Sequence, residues 1–229
     1  MKFVFFVLIG ALLISGCQSS LERKVWDNIA EIRQFVVYGK EEGISASLTC
    51  GRREFEYKLN GYATDLIEFG VITIMLDDID KINFESADYV LFVGTKKYEG
   101  DLQKNPFDNT LVADIKKIVS YTENISLELY IDKEKIDSLK LKRVDADWQI
   151  TYDDCVALLV GQYKKELKSL IKKSEFEGEV YIKILNDFDK NINDFYYYVS
   201  VVGRSGDTLS IIISPKTGNI LACNNTIVA

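Results

Sequence analysis

The chain has 229 residues, 47 % hydrophobic and 12 % aromatic, which is enough to bury a core and too apolar for a disordered polymer. A formal charge of −7 repels phosphate backbones and speaks against a nucleic-acid partner. There is no histidine, so Ser-His-Asp and Cys-His catalysis, histidine-containing zinc sites and the usual near-neutral proton shuttle are excluded.

Met1-Lys2 precede an apolar run from Phe3 to Ile14, then Ser15-Gly16-Cys17, then the polar Gln18-Ser19-Ser20. A short cationic start, about a dozen apolar residues and small residues before a cut site are the parts of an export signal, and the run is too short to span a bilayer. Ile14-Ser15-Gly16-Cys17 resembles the lipobox of bacterial lipoproteins. The resemblance implies that residues 1–16 are removed as a signal peptide and that the Cys17 thiol carries diacylglycerol. It also implies that residues 17–24 tether an exported protein to the extracytoplasmic face of a bacterial membrane. Gln18 in place of Asp lacks the inner-membrane retention signal of some such proteins.

Helical spacing of Leu21, Val25, Ile29 and Ile32 predicts a helix from about Leu21 to Gln34. Strand signals follow: Phe35–Tyr38, the alternating Ile44–Cys50, then Phe55, Tyr57 and Leu59 up to the turn Asn60-Gly61. Val71–Leu76 and Tyr89–Val93 are strongly β-prone, and further strands are expected at 110–115, 124–132 and 138–144. Leu111, Ile115 and Ile118 also fit a helix. These signals predict a β-rich, sandwich-like domain over 25–146.

From Asp147 the pattern changes. Asp153-Asp154 can cap a helix whose apolar stripe runs from Val156 through Leu159, Tyr163 and Leu167 to Ile171, with Gly178 closing the helical region. Four strand signals follow at Glu179–Leu185, Phe195–Val202, Thr208–Ser214 and Ile220–Cys223. The expected fold is therefore α+β, with the β-rich domain followed by a helix-plus-four-stranded antiparallel sheet domain over 147–229. Residues 197–221, with turns at Gly206-Asp207 and Thr217-Gly218-Asn219, resemble the last hairpin of PepSY modules, and the element order is similar to cystatin-like folds. Ser214-Pro215 departs from the acid-centred stretch of the PepSY pattern. That resemblance implies a binding role in an exported protein.

Candidate sites are few. Asp187, Asp189, Asn191 and Asn193 alternate as in the start of a calcium loop, but Ile192 stands where an EF-hand needs Gly and Tyr198 where it needs Glu, and a polar hairpin turn explains them equally. Asp77, Asp78 and Asp80 follow a strand and are the acids a carboxylate-dependent hydrolase of envelope polymers would use; a solvated turn is the simpler reading. Asp145, Asp147, Asp153 and Asp154 read as an inter-domain loop plus a helix cap. Tyr181, Phe195, Tyr196, Tyr197 and Tyr198 offer aromatic faces for stacking or for the core. Arg52-Arg53-Glu54 beside Gly51 reads as a charged turn, with an anion site as the alternative. Besides Cys17 there are Cys50, Cys155 and Cys223, of which Cys155–Cys223 is the pair proposed for a disulfide and three buried thiols the alternative. No phosphate-binding glycine loop, nucleophile elbow or cofactor motif occurs. The sequence thus predicts a lipid-anchored, non-enzymatic module that binds a protein, peptide or envelope component, with a hydrolase or a structural assembly subunit as rivals.

Overall fold

The computed structural model describes residues 20–56, 58, 60–77, 79–81, 83–106, 110–116, 124–186 and 194–226. Cys17, Asp78 and the calcium candidates Asp187, Asp189, Asn191 and Asn193 lie outside the described residues.

The α+β expectation is overturned. The chain is mostly β, 58 % strand against 14 % helix, and a nearly closed, barrel-like sheet of 13 strands replaces the expected sandwich followed by a separate helix-plus-sheet domain. The chain opens with α1 (Ser20–Trp26), whose Leu21 and Val25 are buried. The helix expected through Gln34 stops at Trp26, because Asp27-Asn28 turns the chain. The β-branched and aromatic residues beyond it pack better on a pleated surface. Nine strands build the barrel: β1 (Ile29–Glu41), β2 (Ile44–Glu54), β3 (Leu66–Leu76), β4 (Ala87–Val93), β5 (Lys96–Asp101), β6 (Gln103–Lys104), β7 (Thr110–Ile115), β8 (Ile125–Ile131) and β9 (Glu134–Arg143). The segment at 110–115, ambiguous in sequence, is a strand. The alternation at Phe55 is not, since β2 ends at Glu54 and Phe55 lies in a bend.

Two arms leave β1. One runs β1-β2-β3-β7-β6, the other β1-β9-β8-β4-β5. They meet because β5 and β6 are nearly continuous. Lys96–Asp101 pair with β4, Leu102 N–H donates to the Ala87 carbonyl at 2.7 Å, and Gln103-Lys104 then pair with Val112 and Leu111 of β7. Leu48, Ile72, Leu91, Leu111, Leu127 and Leu139 from six strands are fully buried in one cluster, so side chains fill the interior.

The second half adds α2 (Tyr152–Gln162), α3 (Lys164–Ser169), β10 (Ile171–Lys172), β11 (Glu175–Phe176), β12 (Gly178–Asn186), β13 (Phe195–Gly203), β14 (Thr208–Ile213) and β15 (Ile220–Thr226). The predicted single helix breaks at Tyr163 and ends at Ser169, short of Gly178. Ile171 instead pairs with Phe176, across a turn in which Lys173 and Ser174 adopt φ 48° and 71°. The cap of α2 also differs in detail: Thr151 is the N-cap, and Asp154 reaches back to accept its N–H at 2.8 Å. α1, α2 and α3 bury Val25, Leu159 and Leu167 in a second cluster with Val180, Val199 and Ile211 of the sheet.

β1 joins the two layers. Along the edge opposite β2, Ile29–Ile32 pair in parallel with Val180–Ile182 of β12, while Val37-Tyr38 pair antiparallel with Arg143 and Lys142 of β9. Neighbouring residues therefore serve different cores, Val36 the helix-covered one and Val37 the barrel. A β-bulge between Arg33 and Phe35 lies opposite Gly51, where an added Cβ would stand 2.0 Å from the Ile32 carbonyl oxygen.

Candidate functional site

With the barrel interior filled, the concave surfaces lie outside it. One groove of about 470 Å³ runs over the outer wall of β5, β4 and β8, lined by Asp88, Lys97, Glu99, Asp101, Tyr130 and Lys133 with backbone from their neighbours. Outward residues of three adjacent strands create it. Alternation along β4 and β8 sends Tyr89, Leu91, Leu127 and Leu129 into the core and leaves Asp88 and Tyr130 outside. Asp88 stands directly opposite Asp101 on one side and Tyr130 on the other. A second groove of about 470 Å³ separates α2 from the β14–β15 turn and is lined by Ile150, Asp154, Leu158, Gly161, Gln162 and Thr217, among others. It contains one carboxylate and no opposed pair of charges.

Of the three carboxyls in the first groove, those of Asp88 and Asp101 are neighbours close enough to share a hydrogen bond. Partial withdrawal from solvent, the hydrogen bond and the charge of Asp101 together raise Asp88 above its ordinary value of 3.8, while Lys133 opposes the shift. Asp88 thus takes up a proton more readily than an isolated carboxylate does. Around it, Lys97 bonds Glu99 at 2.5 Å. Glu128 accepts from Tyr130 Oη at 2.8 Å and from Lys135 at 2.5 Å, and these bonds hold its carboxyl below the usual range. A wall of this kind presents hydrogen-bond donors and acceptors of both signs beside one aromatic ring. Such a surface matches a polyhydroxylated or amide-rich ligand.

The sequence reasoning passed over this groove. The signal was present: the Gly94-Thr95 turn between Val93 and Lys96 fixes a register that sets Asp88 opposite Asp101.

The residues singled out in sequence go elsewhere. Asp77 lies exposed on the turn after β3, its N–H donating to the Gly43 carbonyl at 2.9 Å; the backbone of Asp80 belongs to a 3-10 turn at Ile79–Lys81. Asp77 is not among the described residues that line the groove. Arg143 grips Asp145 through two hydrogen bonds of 2.7 and 2.8 Å, and Lys216 reaches Asp147 at 3.4 Å and Asp194 at 3.5 Å, so these acids brace the loop before α2. Among the described residues, no three Cys, Asp or Glu side chains converge on a point suited to a metal ion.

Phe195, Tyr197 and Tyr181 are buried; Tyr197 packs edge-on against Trp148 at 5.2 Å, and Tyr198 Oη meets Ser210 Oγ at 3.0 Å. Arg53 pairs with Asp114 at 3.2 Å and covers the Phe69 ring at 4.6 Å. Cys50, Cys155 and Cys223 are all free thiols. The proposed pair is kept apart by burial: Cys155 sits in the helix-covered core, where desolvation pushes its thiol up, whereas Cys223 lies exposed on β15 beside the Tyr163 hydroxyl.

A second polar feature is structural. Glu179 on β12 is fully buried and accepts the N–H groups of Asn60 at 2.7 Å and Gly61 at 2.8 Å, together with the Tyr181 hydroxyl. It stitches the β2–β3 loop of the barrel to the second layer. Among the described residues, no helix is long and apolar enough to cross a membrane.

No family model, curated protein or solved structure matches the chain. Function must therefore be argued from the residues themselves.

Proposed function

We propose that the chain is an exported, lipid-anchored protein that binds an envelope component, peptide or protein partner without transforming it, and that the Asp88–Asp101 groove is its contact surface. The observation that carries the binding half is the groove itself, an open wall with paired carboxyls, two lysines and a tyrosine beside a barrel whose interior is filled. Asp88 and Asp101 are directly opposed cross-strand neighbours on an open wall, with no enclosed cleft around them, which favours recognition over chemistry. The anchoring half is supported by Ile14-Ser15-Gly16-Cys17 after an apolar run. The PepSY-like hairpin, which spans β13–β15, agrees with a binding role.

Two measurements test the reading. Cell fractionation with intact mass of the wild type and Cys17→Ala is expected to give a membrane-bound form carrying diacylglycerol and an unlipidated, uncleaved variant. A photo-crosslinking residue at Val90, within the groove, is expected to capture a discrete envelope species that Asp101→Ala no longer yields. If crosslinking at Val90 gives only what a crosslinker at Gly43 gives, the groove is not the contact surface.

A further inference from the structure

We propose that the pole formed by α1 and the β10–β11 turn seats directly on an anionic lipid surface, a proposal that rests on the lipid-anchor reading of Cys17. Only Gln18 and Ser19 separate Cys17 from Ser20, the first residue of α1. Three Cα–Cα steps span at most about 11 Å. A lipid on Cys17 therefore holds the start of α1 within about that distance of the headgroups. α1 cannot lengthen the tether by detaching, because Leu21 and Val25 are buried in the helix-covered core. The usual picture of a lipoprotein body swinging on a long leash does not apply to this chain.

The residues at that pole match such a surface. The Lys24 ammonium donates to the Ser174 carbonyl, which fixes the β10–β11 turn beside α1. The turn presents Lys172 and Lys173, both exposed. From 164 to 173 the chain carries Lys164, Lys165, Lys168, Lys172 and Lys173 against a single carboxylate, Glu166. Arg23 on α1 adds a cation whose side chain is 79 % exposed. Besides Glu166, the acids nearby are Glu22, Asp27, Glu175, Glu177 and, beside α3, Asp207. Of these, Asp27 meets Arg23 at 4.0 Å in a loose, exposed contact, and Glu177, whose side chain is only 18 % exposed, meets Lys172 at 3.8 Å.

The whole chain carries −7, so this pole has the opposite sign from the remainder. Anionic headgroups attract it and repel the acidic barrel, and both forces turn the molecule the same way. β1 starts at this pole, and its 13 residues run away from it, placing the β1–β2 turn about 40 Å farther out at ~3.3 Å per residue.

The test uses the full-length lipidated protein, its lipid verified by intact mass, in vesicles of phosphatidylcholine with and without phosphatidylglycerol. In a Cys223→Ser background, Lys173→Cys and Glu42→Cys each receive a fluorophore, and quenchers sit on the lipid headgroups. Quenching is expected to be several-fold stronger at position 173 than at 42, and Lys168→Glu with Lys172→Glu is expected to weaken it in vesicles with phosphatidylglycerol alone. Equal quenching at both positions on a protein that carries its lipid overturns the seating and leaves the anchor standing. Charge reversal without effect on the anionic vesicles overturns the electrostatic match. Absence of lipid mass on Cys17 removes the anchor, and the seating falls with it.

Discussion

Asp88 and Asp101 face each other as directly opposed cross-strand residues, so at neutral pH two like charges are held together by the β4–β5 register. Folding raises the Asp88 pKa, so the native state takes up its proton more readily than the unfolded chain does. Its contribution to stability is thus favourable in acid and is lost as pH rises through the folded value, leaving a penalty that is complete at pH 7. Asp88→Asn is expected to stabilise the protein at pH 7 by about 0.5 kcal/mol, the scale of a cross-strand pair, with the gain disappearing toward pH 3. Chemical denaturation at the two pH values checks this, and a loss of stability at pH 7 would refute the like-charge account. Glu179 is instead surrounded by donors, the N–H groups of Asn60 and Gly61 and the Tyr181 hydroxyl. Glu179→Ala leaves the buried N–H of Gly61 and the part-buried N–H of Asn60 without their acceptor and is expected to cost about 1–3 kcal/mol. Hydrogen exchange at Asn60 and Gly61 should rise in that variant ahead of the barrel amides. No sequence pattern pointed to Glu179, because a lone Glu at a strand start looks like surface until a loop more than a hundred residues earlier folds over it.

Among the elements, β1 and its partner β2 are the most constrained. Gly51 faces a bulge whose backbone approaches too closely for any side chain, so Gly51→Ala is expected to destabilise by about 2 kcal/mol through forced displacement of β1. The melting temperature measures this, and Gly43→Ala, in an open turn with φ 77°, serves as a control that carries backbone strain but no clash. Runs of β-branched and aromatic residues made β3 and β4 legible from sequence, and the alternation of Ile44, Ala46, Leu48 and Cys50 did so for β2. The start of β1, up to Gln34, was expected as helix, while Phe35–Tyr38 of the same strand were expected as strand. β1 is buried on both faces at its start, and Val25, Ile29 and Ile32 then fit a helical stripe as well as a strand. The short β5 and β6 carry too few apolar residues to signal strands, and they are the pieces that bring the two arms of the barrel together. The groove was hidden with them.

For the whole molecule, sharing β1 couples two cores that composition and the change of pattern at Asp147 made look separable. Both tryptophans, Trp26 and Trp148, pack against the helix-covered core, while most of the strand signal in circular dichroism comes from the barrel. Thermal or denaturant unfolding followed by tryptophan fluorescence and by circular dichroism is expected to give coincident transitions. Two resolved transitions would mean that the layers fold independently in spite of β1. The overall architecture was beyond the sequence because the connections that define it, β1 with β12 and β1 with β9, join residues far apart in the chain.

The β1–β12 pairing also sets a timetable. A chain delivered across a membrane from its N-terminus presents Ile29–Ile32 early, whereas Val180–Ile182 arrive among the last residues. Until they do, one edge of β1 stands open and the residues it contributes to the helix-covered core have nothing to cover them. Contacts this distant in sequence make folding slow, in the range of milliseconds to seconds or longer. For a chain exported as proposed, that interval leaves a sheet edge open to the strands of neighbouring chains until Val180–Ile182 arrive.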